Sequence, residues 1–389
     1  MDGLSPDQRE IVGLVHEWVD REVVPAAPDL EHADEFPETL VEQMKELGLF
    51  GVTIPEEFGG LGLDLTTYAL LQVELSRGWM SLSGVTNTHF IAAWMIQTYG
   101  TPQQQARYLP RMATGELRSA YSMTEPHAGS DVQAIRTSAR RDGDAYVIDG
   151  QKMWVTNGLR AGMVMLLAKT DSAADPPHRG MTGFIVEKEP GRSSQTGLVI
   201  SEPLRKLGYK GVETVELAFD NFRTPATSVL GGTENAGFKQ FMSGIELGRV
   251  NIAARGVGIA TSAFEQAIRY AQERQSMGRP IAAHQAIQLK LADMATKLRA
   301  ARLLTLDAAR AKDEGRRADL EAGMAKLFAT EAAEQIVFDA MRIYGGYGYS
   351  QEYPIERLYR DAPLLIIGEG TNEIQRLVIA RRLLEQHAI

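Results

Sequence analysis

The sequence predicts an α+β fold in three successive parts: a helical region over residues 1–117, an antiparallel β region over 118–232 and a helical bundle over 233–389. Three textures mark them. Capping signals followed by apolar residues at helical spacing define the first part. Short Val-, Ile-, Thr- and aromatic-rich runs between turn signals define the second. Long stretches with apolar stripes define the third. The length of 389 residues allows about two to three domains.

In chain order, Ser5-Pro6-Asp7-Gln8 supplies a capping Ser, a Pro at the first helical position and a Gln for a capping box. Asp64 is placed to cap a helix running through Tyr68, Leu70, Leu71 and Val73 toward Gly78. Gly100 can end a helix, and Thr101-Pro102-Gln103-Gln104 repeats the capping-box logic directly after it. In the second part, Asp142-Gly143 separates Thr137–Arg141 from Asp144–Ile148, and Asp149-Gly150 precedes Met153–Thr156. Both Asp-Gly pairs supply the positive backbone angles of hairpin turns. Val164–Ala168, Phe184–Val186 and Val215–Phe219 are further strands, and Asp175–Gly180 reads as an exposed loop. In the third part, Phe264, Ala267, Ile268 and Ala271 fall at helical spacing, and Gln285–Ala311 and Ala325–Ile343 are longer runs of the same kind. Their apolar stripes suit a bundle.

A net charge of -9 and a pI near 5.4 argue against a broad nucleic-acid-binding face. The absence of cysteine excludes disulfides, thiolate catalysis and Cys-ligated metals. The seven histidines do not fall at metal-ligand spacing, and no nucleophile elbow is present, so neither a metal site nor a hydrolase triad is expected. Met1-Asp2-Gly3-Leu4-Ser5-Pro6 lacks the basic and apolar segments of a signal peptide, and no run is long and apolar enough for a membrane span. The expected compartment is the cytoplasm.

Several segments carry groups that suit chemistry, and each has a structural reading beside it. Thr124 and Ser130, with Gly129 between them, can hydrogen-bond a planar polar ligand or a phosphate, or form a plain turn after a strand. Trp154 can lie along an aromatic ligand with Thr156 beside it, or sit in a core. Arg274 and Arg279 flank the turn Met277-Gly278 and can meet a pyrophosphate, or Arg274 can simply close a helix. Gly345-Gly346-Tyr347-Gly348 excludes regular helix and offers backbone amides, or serves as a tight connection. Gly368-Glu369-Gly370-Thr371 sets one carboxylate between glycines at the start of a helix that Thr371 can cap, or is a solvated loop.

Taken together in this order, these motifs resemble the acyl-CoA dehydrogenase family over essentially the whole chain. Gly51–Gly62, Met123–Asp131, Gly150-Gln151-Lys152-Met153-Trp154, Lys206-Leu207-Gly208 and Gly368–Glu373 carry the resemblance. It implies an N-terminal helical domain, a central antiparallel β-barrel domain and a C-terminal four-helix bundle. It also implies FAD, and a homotetramer in which each flavin touches two subunits. Tyr121, Met123, Thr124 and Ser130 match flavin- and substrate-facing positions, and Trp154 and Thr156 match the second flavin strand. Arg274, Gln285 and Gly346 match positions that reach a neighbouring subunit's FAD, while Arg342 and Met277 stand where relatives carry Gln and Phe beside it. Thr371 is assigned to the cofactor as well, and Ser130, Glu246, Arg249, Gly368 and Gly370 to the substrate.

Glu369 matches the catalytic base. The implied reaction turns an acyl-CoA into its trans-2-enoyl-CoA. Glu369 removes the α proton, its backbone N–H and a flavin hydroxyl bind the thioester oxygen, and flavin N5 accepts the hydride. Electrons then pass to an electron-transfer flavoprotein. Some relatives place the base just before the arginine matched by Arg249; here that position is Gly248, which leaves Glu369. Gly368 replaces a common aromatic residue, which predicts room for branched acyl chains, and His127 replaces a common Gly. The tail pocket is expected along Asn87–Gln97, with Trp94. The alternatives are an acyl-CoA oxidase or nitroalkane-oxidase-like protein reoxidised by oxygen, an acyl-carrier-protein-linked dehydrogenase, and a non-catalytic flavoprotein subunit. A flavin monooxygenase fits less well, because those relatives need no Glu at this position.

Overall fold

A computed structural model describes residues 4–388. Met1-Asp2-Gly3, part of the stretch read above for a leader, lies outside the described residues. The capping boxes form as expected: Ser5 opens α1 (Pro6–Trp18) and Thr101 opens α5 (Pro102–Ala113), each bonding reciprocally with the Gln three residues on. Between them lie α2 (Val24–His32), α3 (Glu38–Glu46) and α4 (Leu65–Tyr99), the last capped by Asp64 accepting from the Thr67 N–H.

The long helix α4 is interrupted at Trp79, whose backbone is extended (φ -159, ψ 115). Tyr68 stacks on Phe90 at 3.8 Å, and Gln72 bonds Thr86, so the halves 65–78 and 80–99 fold back on each other. Arg357 donates to the Gly78 carbonyl at 3.1 Å, occupying an acceptor that the break frees.

The middle of the chain forms β1 (Ser119–Ser122), β2 (Ser138–Asp142), β3 (Ala145–Thr156), β4 (Met163–Lys169), β5 (Met181–Glu187), β6 (Ser194–Gln195), β7 (Leu198–Ile200) and β8 (Thr214–Pro225). Seven strands run in the order β1-β4-β2-β3-β8-β7-β6, with β5 paired to β4. Most pairings are antiparallel; β1 and β2 meet β4 in parallel. Asp142-Gly143 makes the expected hairpin turn, with Gly143 at φ 65. Asp149-Gly150 does not turn the chain. It sits inside β3 at a register shift against β8, a bulge in which a side chain on Gly150 would strike Thr137. The positive angle (φ 146) was legible, but its use was not.

Strand β4 joins the two cores. Met163, Met165 and Leu167 face the helices, while Val164, Leu166 and Ala168 face the sheet interior, the period-two alternation of a strand buried on both sides. The remaining chain forms α6 (Gly237–Glu273), the short β9 (Gln275–Ser276) and β10 (Arg279–Pro280), then α7 (Gln285–Asp313), α8 (Asp319–Tyr344), α9 (Ile355–Ile367) and α10 (Asn372–Gln386). The first and last helical parts share one apolar core, centred on the packing of α4 against α6.

Glycines set that approach. A side chain on Gly258 would overlap the Val73 carbonyl and come within 2.7 Å of Ser76 Cβ. Gly258→Ala is therefore expected to destabilise the fold by about 1–3 kcal/mol, read as a lowered thermal midpoint. An unchanged midpoint would mean that this backbone contact is not tight.

Candidate active site

Helix α9 ends where Gly368 turns extended (φ -68, ψ 154). Glu369 and Gly370 follow with positive φ of 53 and 83, and Thr371 caps α10 by accepting from the Ile374 N–H. Positive φ costs a glutamate of order 1–3 kcal/mol, so the surroundings must hold it. Lys326, on α8 and fully buried, does so from beneath. Its ammonium donates to the carbonyls of Ile366 at 3.2 Å and Gly370 at 2.9 Å, and to Asn372 Oδ1 at 2.6 Å. Burial pushes that ammonium down to about 8, opposed by the nearby Glu369 charge. Gln375 adds donors to the Glu369 and Gly370 carbonyls at 3.4 and 3.0 Å.

The Glu369 side chain enters the contact between α4 and α6. Oε1 accepts a short bond from Asn87 Nδ2, and Oε2 is buried without a partner. It lies where residue 248 would carry a side chain: a Cβ built on Gly248 would overlap Oε2. The carboxylate thus fits because α6 presents a glycine. Burial raises its pKa above the ordinary carboxyl value; the Asn87 bond, then Arg255, Lys326 and Arg249, pull it back without reversing the shift. The backbone N–H of Glu369 has no partner within the chain among the described residues.

A second group forms where β1 meets β3. Lys152 and Glu125 pair at 2.9 Å inside the protein. Lys152 also donates to the Met123 carbonyl, the Met153 N–H to the Thr124 carbonyl, and the N–H groups of Arg136 and Thr137 to Glu125. Burial pushes the Glu125 carboxyl up, but Lys152 and these donors outweigh it and hold it below the ordinary value. The loop after β1 is thereby laced to β3 just before a second register shift, at Lys152/Val155. There Trp154 takes φ 61 and stands 56% exposed. The hydroxyls of Thr124, Ser130 and Thr156 and the Trp154 indole N–H bond nothing in the chain among the described residues. An uncovered indole on β3 and free hydroxyls on β3 and on the loop after β1 suit a flat heteroaromatic group with polar edges. The Tyr121 hydroxyl donates to the Phe241 carbonyl at 2.9 Å.

Arg274, Met277, Gln285, Arg342 and Gly346 are all exposed, Met277 at 90%. Arg274 sits over the Tyr347 ring at 5.5 Å, and Arg342 reaches Asp339 at 3.5 Å. Of the residues expected at the substrate, Glu246 pairs with Lys312 at 2.9 Å, while Arg249 leaves Nε buried and unpartnered. A Cβ on Gly368 would come within 3.3 Å of the Leu364 carbonyl oxygen and 4.0 Å of its Cδ1. Within Asn87–Gln97, Asn87 reaches Glu369, whereas Trp94 lies under Lys312 at 5.7 Å. Sequence reasoning missed Lys326 and Arg255. The available signal was a lone cation on an otherwise small and apolar helical face, Ala325-Lys326 and Ala253-Ala254-Arg255-Gly256-Val257. It also missed the cluster of Glu31, His32 and Glu356, whose carboxylates are already forked by Arg360.

Comparison with known proteins gives consistent matches along the chain. Family models described as acyl-CoA dehydrogenase N-terminal, middle and C-terminal domains match residues 5–116, 120–222 and 235–384. The sequence is 42% identical to an acyl-CoA dehydrogenase of Bacillus subtilis (strain 168) over 95% of this chain and 96% of that protein. It is 41% identical to the (2S)-methylsuccinyl-CoA dehydrogenase of Cereibacter sphaeroides over 98% of this chain and 70% of that one. Among solved structures, a glutaryl-coenzyme A dehydrogenase in complex with glutaryl-CoA superposes with a TM-score of 0.94 at 37% identity, covering 99% of this chain and 97% of that one.

The buried carboxylate has a consequence for stability. A carboxyl whose folded pKa is raised destabilises the fold once it ionises. The penalty is absent below the unfolded value of about 4.3, grows with pH, and levels off above the folded value. Glu369→Gln is therefore expected to resist urea better than the parent at pH 8, with the advantage shrinking toward pH 5. An advantage independent of pH would contradict the burial argument.

Proposed function

The chain belongs to the acyl-CoA dehydrogenase family, oxidoreductases that act on CH–CH bonds and are in general FAD-dependent, and from that premise we propose that Glu369 is the base of an acyl-CoA α,β-dehydrogenation. One observation carries this reading. A buried carboxylate, strained in its backbone and held by Asn87, keeps one oxygen unpartnered. A base needs a free lone pair and a raised pKa, and this carboxyl has both.

Bound FAD would supply the hydride acceptor. Trp154, Thr156, Thr124 and Ser130 would hold its ring system, in keeping with the exposed indole and free hydroxyls. Glu369 takes the α proton on Oε2. Its free backbone N–H, presented by the positive φ, is the donor for the thioester oxygen. Such a donor is typically worth about 3–4 kcal/mol in the transition state. Lys326 fixes the turn so that N–H and carboxylate act from one rigid element. Substrate that excludes water from the site would raise the carboxyl further and strengthen it as a base. Arg274, Met277, Gln285, Arg342 and Gly346 would face the cofactor of a second copy in a homotetramer, which accounts for their shared exposure. An electron-transfer flavoprotein is the proposed electron acceptor.

The test is anaerobic flavin bleaching by straight, branched, aromatic and dicarboxylic acyl-CoA thioesters. Bleaching by one class, reduced at least ~10²-fold in rate in Glu369→Gln, is expected, since removal of a general base costs roughly 10²–10⁴. Bleaching that survives in the variant would assign the base elsewhere. The absence of a side chain at Gly368, next to Glu369, yields a second prediction. Gly368→Tyr should lower kcat/KM for α-branched thioesters by about tenfold or more and spare straight short chains. Equal losses for both would show that residue 368 does not border the reacting carbons.

A further inference from the structure

Beyond Glu369, the contact between α4 and α6 holds a line of buried polar groups that proton removal does not use. On α6, Gly248, Asn251 and Arg255 share one face by their spacing. On the second half of α4, Ser83, Gly84 and Asn87 do the same. Asn87 meets Glu369 at one end. At the other end, Arg255 donates to the Ser83 carbonyl at 3.1 Å and lies 3.4 Å from the Tyr209 hydroxyl. Tyr209 closes that end: its ring hydroxyl occupies the space that a side chain on Gly84 would fill, and its N–H is held by Asp361 at 2.6 Å.

Along this line, Asn87 Oδ1, Glu369 Oε2, Arg249 Nε, Asn251 Oδ1 and Arg255 Nε are all buried without a hydrogen-bond partner. Arg255 is 2% exposed, and no carboxylate lies within 4.0 Å of it or of Arg249 among the described residues. Glu246, the neighbouring acid on α6, is engaged by Lys312. Guanidinium does not deprotonate in proteins, so the closed end carries a buried positive charge without a counterion. An alkyl chain laid along this line would leave every one of these atoms unpaired.

Resting on the reading of Glu369 as base, we propose that Arg255 forms a carboxylate subsite and that the acyl group oxidised here is a short dicarboxylic one. Its distal carboxylate bonds Arg255 while its α carbon faces Glu369. Residues 248 and 255 are ~10 Å apart along the helix axis, and helical side chains lean back toward the N-terminus, which leaves about 4–7 Å between carboxylate and guanidinium. That span suits an acyl group of about four to six carbons with both ends oxidised. The second carboxylate also supplies the counterion that the fold omits, and as a like charge it raises the Glu369 carboxyl further.

The experiment compares kcat/KM for succinyl and glutaryl thioesters, plain and α-methylated, with butyryl and pentanoyl thioesters of matching branching. It uses the FAD-loaded wild type and Arg255→Gln. A site built to bond a polar group rejects analogues lacking it strongly, so a preference of at least ~100-fold for a dicarboxylic thioester is expected in the wild type. Arg255→Gln should abolish that preference, mainly by raising KM for the dicarboxylic thioesters. A wild type that prefers monocarboxylic thioesters overturns the subsite while leaving the base assignment intact. So does an Arg255→Gln variant that keeps its FAD and loses both classes equally, since Arg255 would then only brace Ser83 and Tyr209. Bleaching by no thioester overturns the base reading and the subsite together. Should the variant fail to fold, the wild-type preference decides alone.

Discussion

A carboxylate occupies the volume that a side chain at residue 248 would need, and much of the surrounding architecture serves to keep it there. Taking an unpaired carboxylate out of water costs several kcal/mol even after relaxation. Here the cost is offset by one short bond from Asn87 and by the longer-range attraction of Arg255, Lys326 and Arg249. None of these cations closes on the carboxylate as an ion pair, so its second oxygen stays free. A direct ion pair would stabilise the fold more and disable the group as a base. The helix-by-helix arrangement follows: α4 supplies the donor, α6 the vacancy, and α8 the lysine under the turn.

Backbone strain points to the same places. Among the described residues, the non-glycine positions with positive φ that are neither Asn nor Asp are Trp154, Tyr209, Met277 and Glu369. Bulky residues rarely adopt this conformation, and it persists only where surroundings over-determine it. Glu369 is the proposed base, Trp154 the uncovered indole at the strand bulge, and Tyr209 the closure of the polar line ending at Arg255. Met277 tips the exposed hairpin between β9 and β10. Two of these positions are held by longer-range contacts: Asp361 bonds the Tyr209 N–H, and Lys326 bonds the Gly370 carbonyl beside Glu369.

Local chemistry was legible in the sequence where neighbours in the chain determine it. Ser5, Asp64, Thr101 and Thr371 cap the helices they precede, because a cap needs only its own first turn. Asp142-Gly143 makes a hairpin, while the same dipeptide at 149–150 makes a bulge, because the partner strand β8 runs past it uninterrupted. The break at Trp79 has no local cause of the proline kind; its freed carbonyl is taken by Arg357, far along the chain. Glu369 could be singled out from its glycines, and Gly248 from what it lacks. That the two positions occupy one volume is a fact about the crossing of α6 with the turn before α10. Lys326 and Arg255 escaped notice for the same reason, since a buried cation on a helix declares its partners only after other elements pack over it.

As the proposed base, Glu369 exchanges a proton with the carbon next to the thioester through its unpartnered oxygen. Deuterium uptake at that carbon tests it most directly. The protein would be incubated anaerobically in D2O with a thioester that it binds, and label at the α carbon followed by mass spectrometry in wild type and Glu369→Gln. The account predicts uptake in the wild type and none above background in the variant, with thioester binding retained. Uptake that persists in Glu369→Gln would place the base on another residue.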